Sequence, residues 1–549
     1  MFIENLTNAF AEVFALKNII LMTIGTMAGL IAGAIPGFTI TMAVVLTLPF
    51  TFGMTPIEGL STMIGVYVGA LTGGLFSCTL IGIPGTPSAV ATTFDAFPMA
   101  RKGRTGLALG IGIWASFFAG LISAVLLAVL APALATIGLE FGPWDYFLLV
   151  IFSLTMAASL AGEALVKGLI AGMVGLLIAT VGEDSINGVA RFTFGSDAAR
   201  QGFDFLPVLV GLFAFSQLLA DLSDPDAARK PMMPRGSKLA KVEHIESIVT
   251  IFRHWAALLR STFIGLFIGI LPAVGGSISN ILAYDQEKKA SKTPELFGTG
   301  IPEGIIASEA SNNSTAGGAL ITMMALGIPG DVVTAIMLGA LAIHNVAPSP
   351  SFISNQPVLA YGIIIAYFLS NFITLAVQGI CLRGFTLAMR IPMYAMAAVI
   401  LAYCAIGVFS LGNSIFDIWS LLLFGLLGYG MHLLRFPVTP MILGVVLGPL
   451  AETNLARSLA TSSDISLFIT RPWSLFFLIL AAFSMFFPWY QEARKQAKWT
   501  MLYPPLLCVA CSAPLFLMEG RVRPLIGVLL IGFGAHLLWR RAKGGWQLA

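Results

Sequence analysis

Gly82-Ile83-Pro84-Gly85 and Gly327-Ile328-Pro329-Gly330 are the same four residues, written twice into apolar runs of one chain. Each follows a glycine pair, Gly73-Gly74 and Gly317-Gly318, with seven residues between pair and motif in the first case and eight in the second. Further upstream a second element also recurs. Residues 29–36 read Gly-Leu-Ile-Ala-Gly-Ala-Ile-Pro and residues 265–272 read Gly-Leu-Phe-Ile-Gly-Ile-Leu-Pro, both in the frame G-x-x-x-G-x-x-P. Pro36 lies 48 positions before Pro84 and Pro272 lies 57 before Pro329. The nine extra positions fit the polar stretch 285–293, which the first half lacks, so the insertion falls where loops tolerate one. Proline lacks an amide hydrogen and clashes with the preceding turn, and glycine is a poor helix former. Each motif therefore predicts a helix broken inside an apolar segment.

The surroundings of these breaks define the solvent. Of 549 residues, 57% are hydrophobic and 10% charged, and the mean hydropathy is +0.90. A soluble domain carries roughly 25% charged residues, so this chain cannot cover itself with polar surface and must meet lipid. Stretches such as 110–131, 146–160, 166–181, 361–377 and 419–429 are apolar over helical lengths. With about 20 residues per crossing, on the order of 12 to 14 spans are expected. A transmembrane β-barrel would alternate apolar and polar residues in short segments, which these runs do not. The net charge of +3 gives no support to nucleic-acid binding. Cys78, Cys381, Cys404, Cys508 and Cys511 have no metal-ligand spacing and read as small apolar packing residues. Residues 1–15 carry Glu4 and Glu12 without a basic n-region, so no cleavable signal peptide is expected. Glu163 and Lys167, four apart, read as a structural pair.

Charge sets the expected orientation. Arg101-Lys102-Gly103-Arg104 follows the first Gly-Ile-Pro-Gly, whereas His344-Asn345-Val346-Ala347-Pro348 follows the second and has no Lys or Arg. The bias is reversed after the upstream elements, where 51–58 has no basic residue and 285–293 holds Lys288, Lys289 and Lys292. Cytoplasmic loops collect Lys and Arg. Equivalent loops are then expected on opposite faces, the mark of an inverted-topology repeat. The fold expected is an all-α polytopic membrane protein made of two inverted repeats with broken helices and hairpins. Residues 1–220 form the first repeat, 221–260 a basic cytoplasmic linker, 261–471 the second repeat, and 472–549 a C-terminal transmembrane extension. The linker holds Arg229, Lys230, Arg235, Lys238, Lys241, Arg253 and Arg260.

Matching Gly/Pro interruptions in two halves are the best pointer to a transporter's binding site, because half-helix amino ends attract anions while unwound carbonyls hold a cation. Hydroxyls and amides crowd these breaks. The expected substrate site comprises Pro84, Gly85, Thr86, Pro87, Ser88, Asn312, Asn313, Pro329, Gly330 and Asp331. The expected ion site comprises Pro36, Gly37, Thr39, Gly275, Gly276, Ser277 and again Asp331. Neutral donors suit a carboxylate that must bind and leave, and Asp331 and Glu309 suit a cation or proton. A Gly-x-x-x-Gly taken singly serves close helix packing more often than function. No catalytic residue, metal site or cofactor is expected.

At these motifs the chain resembles the large membrane subunit of the tripartite tricarboxylate transporters, the TctA family, over about 18–474. The resemblance rests on Gly33-Ala34-Ile35-Pro36-Gly37, on residues 82–89 (Gly-Ile-Pro-Gly-Thr-Pro-Ser-Ala), on 153–168, on 188–195 (Gly-Val-Ala-Arg-Phe-Thr-Phe-Gly), on 309–330, and on 436–440 through 447–450. It implies a bacterial inner-membrane permease that imports a carboxylate, tricarboxylate or dicarboxylate-like, driven by Na+ or H+ rather than ATP. It further implies an elevator-like movement, a small TctB-like membrane subunit and a TctC-like periplasmic solute-binding protein. Two departures stand out. Relatives have Pro-Gly at both first breaks, whereas here the second is Pro272-Ala273, and Ser311 and Ser314 replace alanines beside Asn312-Asn313. An ATP-driven permease subunit, a channel and an intramembrane enzyme are the rival readings. No P-loop and no His-Glu-x-x-His occurs in the sequence.

Overall fold

The computed structural model describes residues 2–160, 165–184, 186–223, 241–272, 274–388, 391–494, 496–520 and 522–543. Glu163, Ala273, Arg229, Lys230, Arg235 and Lys238 lie outside them. Among the described residues the regular structure is helical, apart from a two-residue antiparallel pairing of Gly182–Glu183 with Ala190–Arg191. In chain order the helices are α1 (Phe2–Val13), α2 (Leu16–Ala34), α3 (Ile40–Thr51), α4 (Pro56–Ile81), α5 (Val90–Met99), α6 (Thr105–Gly138), α7 (Pro143–Leu160), α8 (Leu165–Ala179) and α9 (Phe205–Leu222). There follow α10 (His244–Arg253), α11 (Trp255–Ile270), α12 (Gly276–Ala290), α13 (Pro302–Leu326), α14 (Val332–Ile343), α15 (Pro357–Ala388) and α16 (Met393–Gly412). The last are α17 (Ile415–Leu433), α18 (Val438–Thr461), α19 (Pro472–Ala493), α20 (Tyr503–Leu517) and α21 (Val522–Lys543). Among the described residues, twelve helical segments are long and apolar enough to cross a membrane, while α3, α8 and α14 are shorter apolar helices. The protein is an all-α, multi-pass membrane protein.

Local chemistry sets the breaks. Thr55 caps α4 in a reciprocal capping box with Glu58, and Pro56 occupies the first turn. The helix ends at Gly82 (φ 73°), and α13 ends likewise at Gly327 (φ 70°). In both copies the first glycine of Gly-Ile-Pro-Gly takes the left-handed cap and the proline two residues later forbids continuation.

By contacts the chain forms two compact units, Met1–Leu139 with Phe203–Leu434, and Glu140–Gly202 with Arg435–Ala549. The first is built on two glycine-mediated pairs. Gly29 and Gly33 of α2 abut the carbonyls of Val66 and Ala70 on α4, and Gly73 abuts that of Leu30. Gly265 and Gly269 of α11 abut the carbonyls of Ser311 and Thr315 on α13, and Gly318 abuts that of Leu266. The first helix of each pair is related by +236 (29 to 265, 33 to 269) and the second by +245 (66 to 311, 70 to 315, 73 to 318). Gly73 therefore answers to Gly318, and Gly74 to Ala319. Gly317, which sequence spacing alone paired with Gly73, faces Ser123 instead.

Three segments gather at one end of this unit. Arg104 Nη2 lies 2.6 Å from Glu246 Oε1, and the Glu243 amide donates to the Gly106 carbonyl at 3.1 Å. Gly300, after the 285–293 stretch, packs on the backbone of Met99.

In the second unit α18 packs on α7 and α8, and α19 packs on α7. The Arg471 guanidinium meets Asp145 Oδ2 at 3.0 Å, and Ser474 Oγ donates to Asp145 Oδ1 at 2.5 Å. Lys167 Nζ lies over the Phe436 ring at 5.1 Å, and its expected pairing with Glu163 falls outside the described residues. The helices α20 and α21 pack on each other, and α20 also on α19. One further contact recurs. Gly211 of α9 abuts the Leu421 carbonyl and Gly425 amide of α17 within the first unit, and Gly444 of α18 abuts the Gly172 carbonyl and Leu176 amide of α8 within the second. The steps are +233 (211 to 444) and +249 (172 to 421, 176 to 425), and Pro207 and Pro440 share the +233 relation.

Candidate functional site

The middles of α4 and α13 cross. Thr72 Oγ1 donates to Asn313 Oδ1 at 3.1 Å, and Asn312 Nδ2 donates to the Leu71 carbonyl at 3.1 Å. Around this crossing lies a buried polar cluster. Asn313 Nδ2 donates to Ser116 Oγ at 2.7 Å, Ser116 Oγ to Glu309 Oε2 at 2.9 Å, and Thr92 Oγ1 to Glu309 Oε1 at 2.6 Å. Tyr367 OH donates to the Asn313 carbonyl at 3.0 Å. None of these residues is basic, and Glu309 is fully buried on two hydroxyl donors. Burying an unpaired carboxylate is costly, so in this cluster hydrogen bonds replace a counter-charge.

Both Gly-Ile-Pro-Gly turns approach this level. Gly85 sits on the Gly33 carbonyl and Gly330 on that of Gly269, each with no room for a methyl group. Thr86 Oγ1 and Ser88 Oγ, both buried, share a hydrogen bond at 3.1 Å, and Pro87 opens a short turn over 87–89. Asp331 caps α14, its Oδ1 accepting from the Thr334 amide at 2.8 Å and its Oδ2 from Tyr67 OH.

The two upstream breaks differ. At Gly275 (φ 68°) the chain turns into α12 with no side chain capping the helix. A methyl on Gly276 would stand 3.0 Å from Ser88 Cβ and 3.1 Å from Asn312 Oδ1, and one on Gly275 would stand 3.8 Å from Asp331 Cβ. Asn280 Nδ2 donates to the Ser88 carbonyl. So Ser88, Gly275, Gly276, Asn280, Asn312 and Asp331 come together, with Thr86, Asn313, Pro329 and Gly330 adjoining. At the first break Pro36 turns the chain and Thr39 caps α3 by accepting from the Met42 amide at 3.1 Å. Gly37 (φ 89°) faces Asp221, whose Oδ2 is buried with no donor among the described residues. Ser277 lies in the first turn of α12. Ser311 and Ser314 spend their hydroxyls on their own helix, donating to the carbonyls of Ser308 at 3.0 Å and Ser311 at 3.2 Å.

Sequence reasoning missed Tyr67, Thr72, Thr92, Ser116 and Asp221. Tyr67 and Thr72 are polar side chains in the apolar run before Gly73, a signal that could have been used. Asp221 is the first residue of the expected linker, yet α9 runs through Leu222. Among the described residues, a groove of about 450 Å³ is lined by Arg260, Phe263, Ile264, Phe267, Ile268 and Leu282, none of them a member of this cluster.

Among the described residues, twelve apolar helical segments, the two helix breaks at Gly82 and Gly327 and a buried polar cluster without Lys or Arg fit a multi-pass membrane transporter. The chain belongs to the tripartite tricarboxylate transporter TctA family, whose model matches residues 19–443. The helices α19 to α21 lie beyond that match. An uncharacterized 52.8 kDa protein in the TAR-I ttuC' 3'region of Agrobacterium vitis is 34% identical over 472 residues, covering 86% of this chain and 93% of that protein. An uncharacterized protein in the TAR-II ttuC' 3'region of the same organism is 34% identical over 210 residues, covering 38% of this chain and 86% of that protein. No solved structure matches the chain.

Proposed function

We propose that this chain is the large permease subunit of a tripartite importer in a bacterial inner membrane, taking up a carboxylate with a sodium or proton gradient. A periplasmic solute-binding protein delivers the substrate and a small membrane subunit completes the complex. The two halves, 1–220 and 261–471, joined by a basic linker and followed by the 472–549 extension, are inverted repeats that carry the substrate by an elevator-like movement. One observation carries the reading: both repeated turns and the uncapped start of α12 converge on a buried polar cluster without a single Lys or Arg. Such a site holds an anion through backbone amides and hydroxyls, reversibly, and leaves its charge to be balanced by a co-transported cation. The recurrence of the +236/+245 and +233/+249 contacts supports two related halves.

The test is uptake into liposomes holding the purified complex with its cognate binding protein. An imposed sodium or proton gradient without nucleotide should drive accumulation. Uptake that requires ATP would favour the ATP-driven permease, and unitary currents would favour a channel.

A further inference from the structure

Residues 180–204 connect α8 to α9, a span beyond the about 12–15 residues above which a loop usually carries function. It begins with a hairpin of fixed shape, the pairing of Gly182–Glu183 with Ala190–Arg191. Asp184 ties its turn. The Asp184 amide donates to the Val189 carbonyl at 2.9 Å, its Oδ1 accepts from the Ile186 amide at 3.0 Å, and its Oδ2 accepts from Asn187 Nδ2 at 2.8 Å. Arg191 fastens the hairpin to α18, both Nη groups donating to the Glu452 carboxylate. On this frame two aromatic side chains stand open, Phe192 at 52% and Phe194 at 95% exposure, with Ile186 and Val189 exposed beside them. Both phenylalanines have left-handed backbone, φ 53° and φ 49°. A bulky side chain enters that region only at a cost, and such strain persists where the shape presented matters.

Charge within the second unit sets the side. Gly168 packs on the backbone of Ala158, so α8 starts where α7 ends. Lys167 lies over Phe436 at that same end, and the hairpin follows the far end of α8. The helices α19 and α21 begin at the hairpin end, where Arg471 meets Asp145 and Arg523 meets Glu140. They therefore finish at the Lys167 end, which gains Arg494 from α19 and Arg540, Arg541 and Lys543 from α21. At the hairpin end Arg191, Arg471 and Arg523 are each paired with an acid. Basic excess marks the cytoplasmic side, and the hairpin is at the other end. We propose that the hairpin 182–195 is the periplasmic docking knob for the solute-binding protein, its Phe192 and Phe194 entering an apolar pocket with a basic rim on that partner. This deepens the transport reading and rests on it. Glu183, Asp184, Asp197 and Glu452 outnumber Arg191 and Arg200 around the aromatics, four to two. That balance repels anionic headgroups and complements a basic rim. A fluid bilayer gains nothing from a strained, fixed loop. A protein pocket does, because a pre-ordered loop loses less entropy on binding and aromatic side chains are the usual anchors.

The test is binding of the purified cognate solute-binding protein to this chain and its small membrane subunit in nanodiscs. The dissociation constant should rise at least tenfold in Phe194→Ala and further in Phe192→Ala/Phe194→Ala. It should stay unchanged in Phe533→Ala, an exposed aromatic of α21. Phe194 is so exposed that its loss leaves folding untouched. A fluorophore on Phe194→Cys should be open to iodide quenching in the nanodisc and become shielded when the solute-binding protein is added. Wild-type affinity in both alanine variants overturns the proposal and leaves delivery by a binding protein standing. Shielding from iodide before the protein is added overturns it too, since the knob then sits in lipid or under the small subunit. A wild-type complex that transports but binds no solute-binding protein removes the delivery reading, and the knob's role with it.

Discussion

A methyl group at Gly85 would stand on the Gly33 carbonyl oxygen and 2.6 Å from Ser77 Oγ, and one at Gly330 would stand 2.5 Å from both the Gly269 carbonyl and Ala319 Cα. Neither glycine has a positive φ, so the obstacle is close approach and not backbone conformation. Backbone cannot yield as a flexible side chain can, and overpacking of this kind costs about 1–3 kcal/mol. Gly85→Ala and Gly330→Ala should therefore lose transport about tenfold or more at equal expression. Gly379 on α15 has nothing within 4 Å and is the control. If all three variants transport alike, the repeated turns are packing features and the site lies elsewhere. The hydroxyls make a milder test. A hydrogen bond to a charged group contributes about 1.5–3 kcal/mol, or roughly 10- to 150-fold in affinity. Thr86→Val and Ser88→Ala should raise the substrate concentration for half-maximal uptake by that order while insertion is unaffected. Asp331→Asn should instead change the response to the coupling ion more than to substrate, as uptake measured against ion and substrate separately would reveal.

The element that most needs holding is the polar loop before α13, and one carboxylate of α5 holds it. Asp95, fully buried, accepts from the amides of Gly298 at 3.0 Å, Gly300 at 2.7 Å and Ile301 at 3.0 Å, and from Tyr284 OH at 2.8 Å. This joins α5 to the loop between α12 and α13. Asp95→Ala leaves those donors bare and should cost on the order of 3 kcal/mol. Its unfolding temperature should fall, and trypsin should cut sooner at Lys288, Lys289 and Lys292. Asp95→Asn keeps one acceptor for the three amides and should lie between. Unchanged proteolysis in Asp95→Ala would show that the loop is held by other means. Asp95 also marks where sequence reading stops. The breaks at 82–85 and 327–330 were legible because a left-handed cap followed by proline is local chemistry, and the glycine faces of α2 and α11 were legible by their spacing. Partners far apart in sequence were not. Tyr67 and Asp331 are 264 positions apart, and Asp95 binds amides more than 200 positions away. Asp221 looked like a linker residue because its neighbours are charged, and only the fold turns it onto Gly37. The Pro207/Gly211 and Pro440/Gly444 echo was present in the sequence but had little contrast against an apolar background.

For the whole molecule, the family implies division of labour. Uptake at low substrate concentration should be negligible without a cognate binding protein and restored by adding it, and high-affinity uptake by this chain alone in liposomes would reject that reading. Orientation yields the sharper test, because charge and contacts bear on it independently. The loop 101–104, the start of α10 and the last turn of α12 with the loop after it meet at one end of the first unit through Arg104–Glu246, the Glu243–Gly106 bond and the packing of Gly300 on Met99. They carry Arg101, Lys102, Arg104, Lys241, Lys288, Lys289 and Lys292. At the other end His344 faces Thr51 and Gly59, and Lys17 is paired with Glu58 at 2.8 Å. An excess of basic residues marks the cytoplasmic side, so the crowded end should face inward. Four native cysteines are buried and Cys508 is partly so, which leaves a quiet background for labelling once they are replaced. Cysteines placed at Lys102 and Lys289, both exposed, should react with an impermeant maleimide only from the cytoplasmic side, and one at Gly53 only from outside. These positions discriminate because 102 follows the second break of its half and 289 follows the first break of the other. In two halves of the same orientation those loops would fall on opposite faces; in inverted halves they fall on one. Periplasmic labelling at 289 together with cytoplasmic labelling at 102 would therefore sink the inverted repeat, and with it the reason for seating the two Gly-Ile-Pro-Gly turns at a shared site.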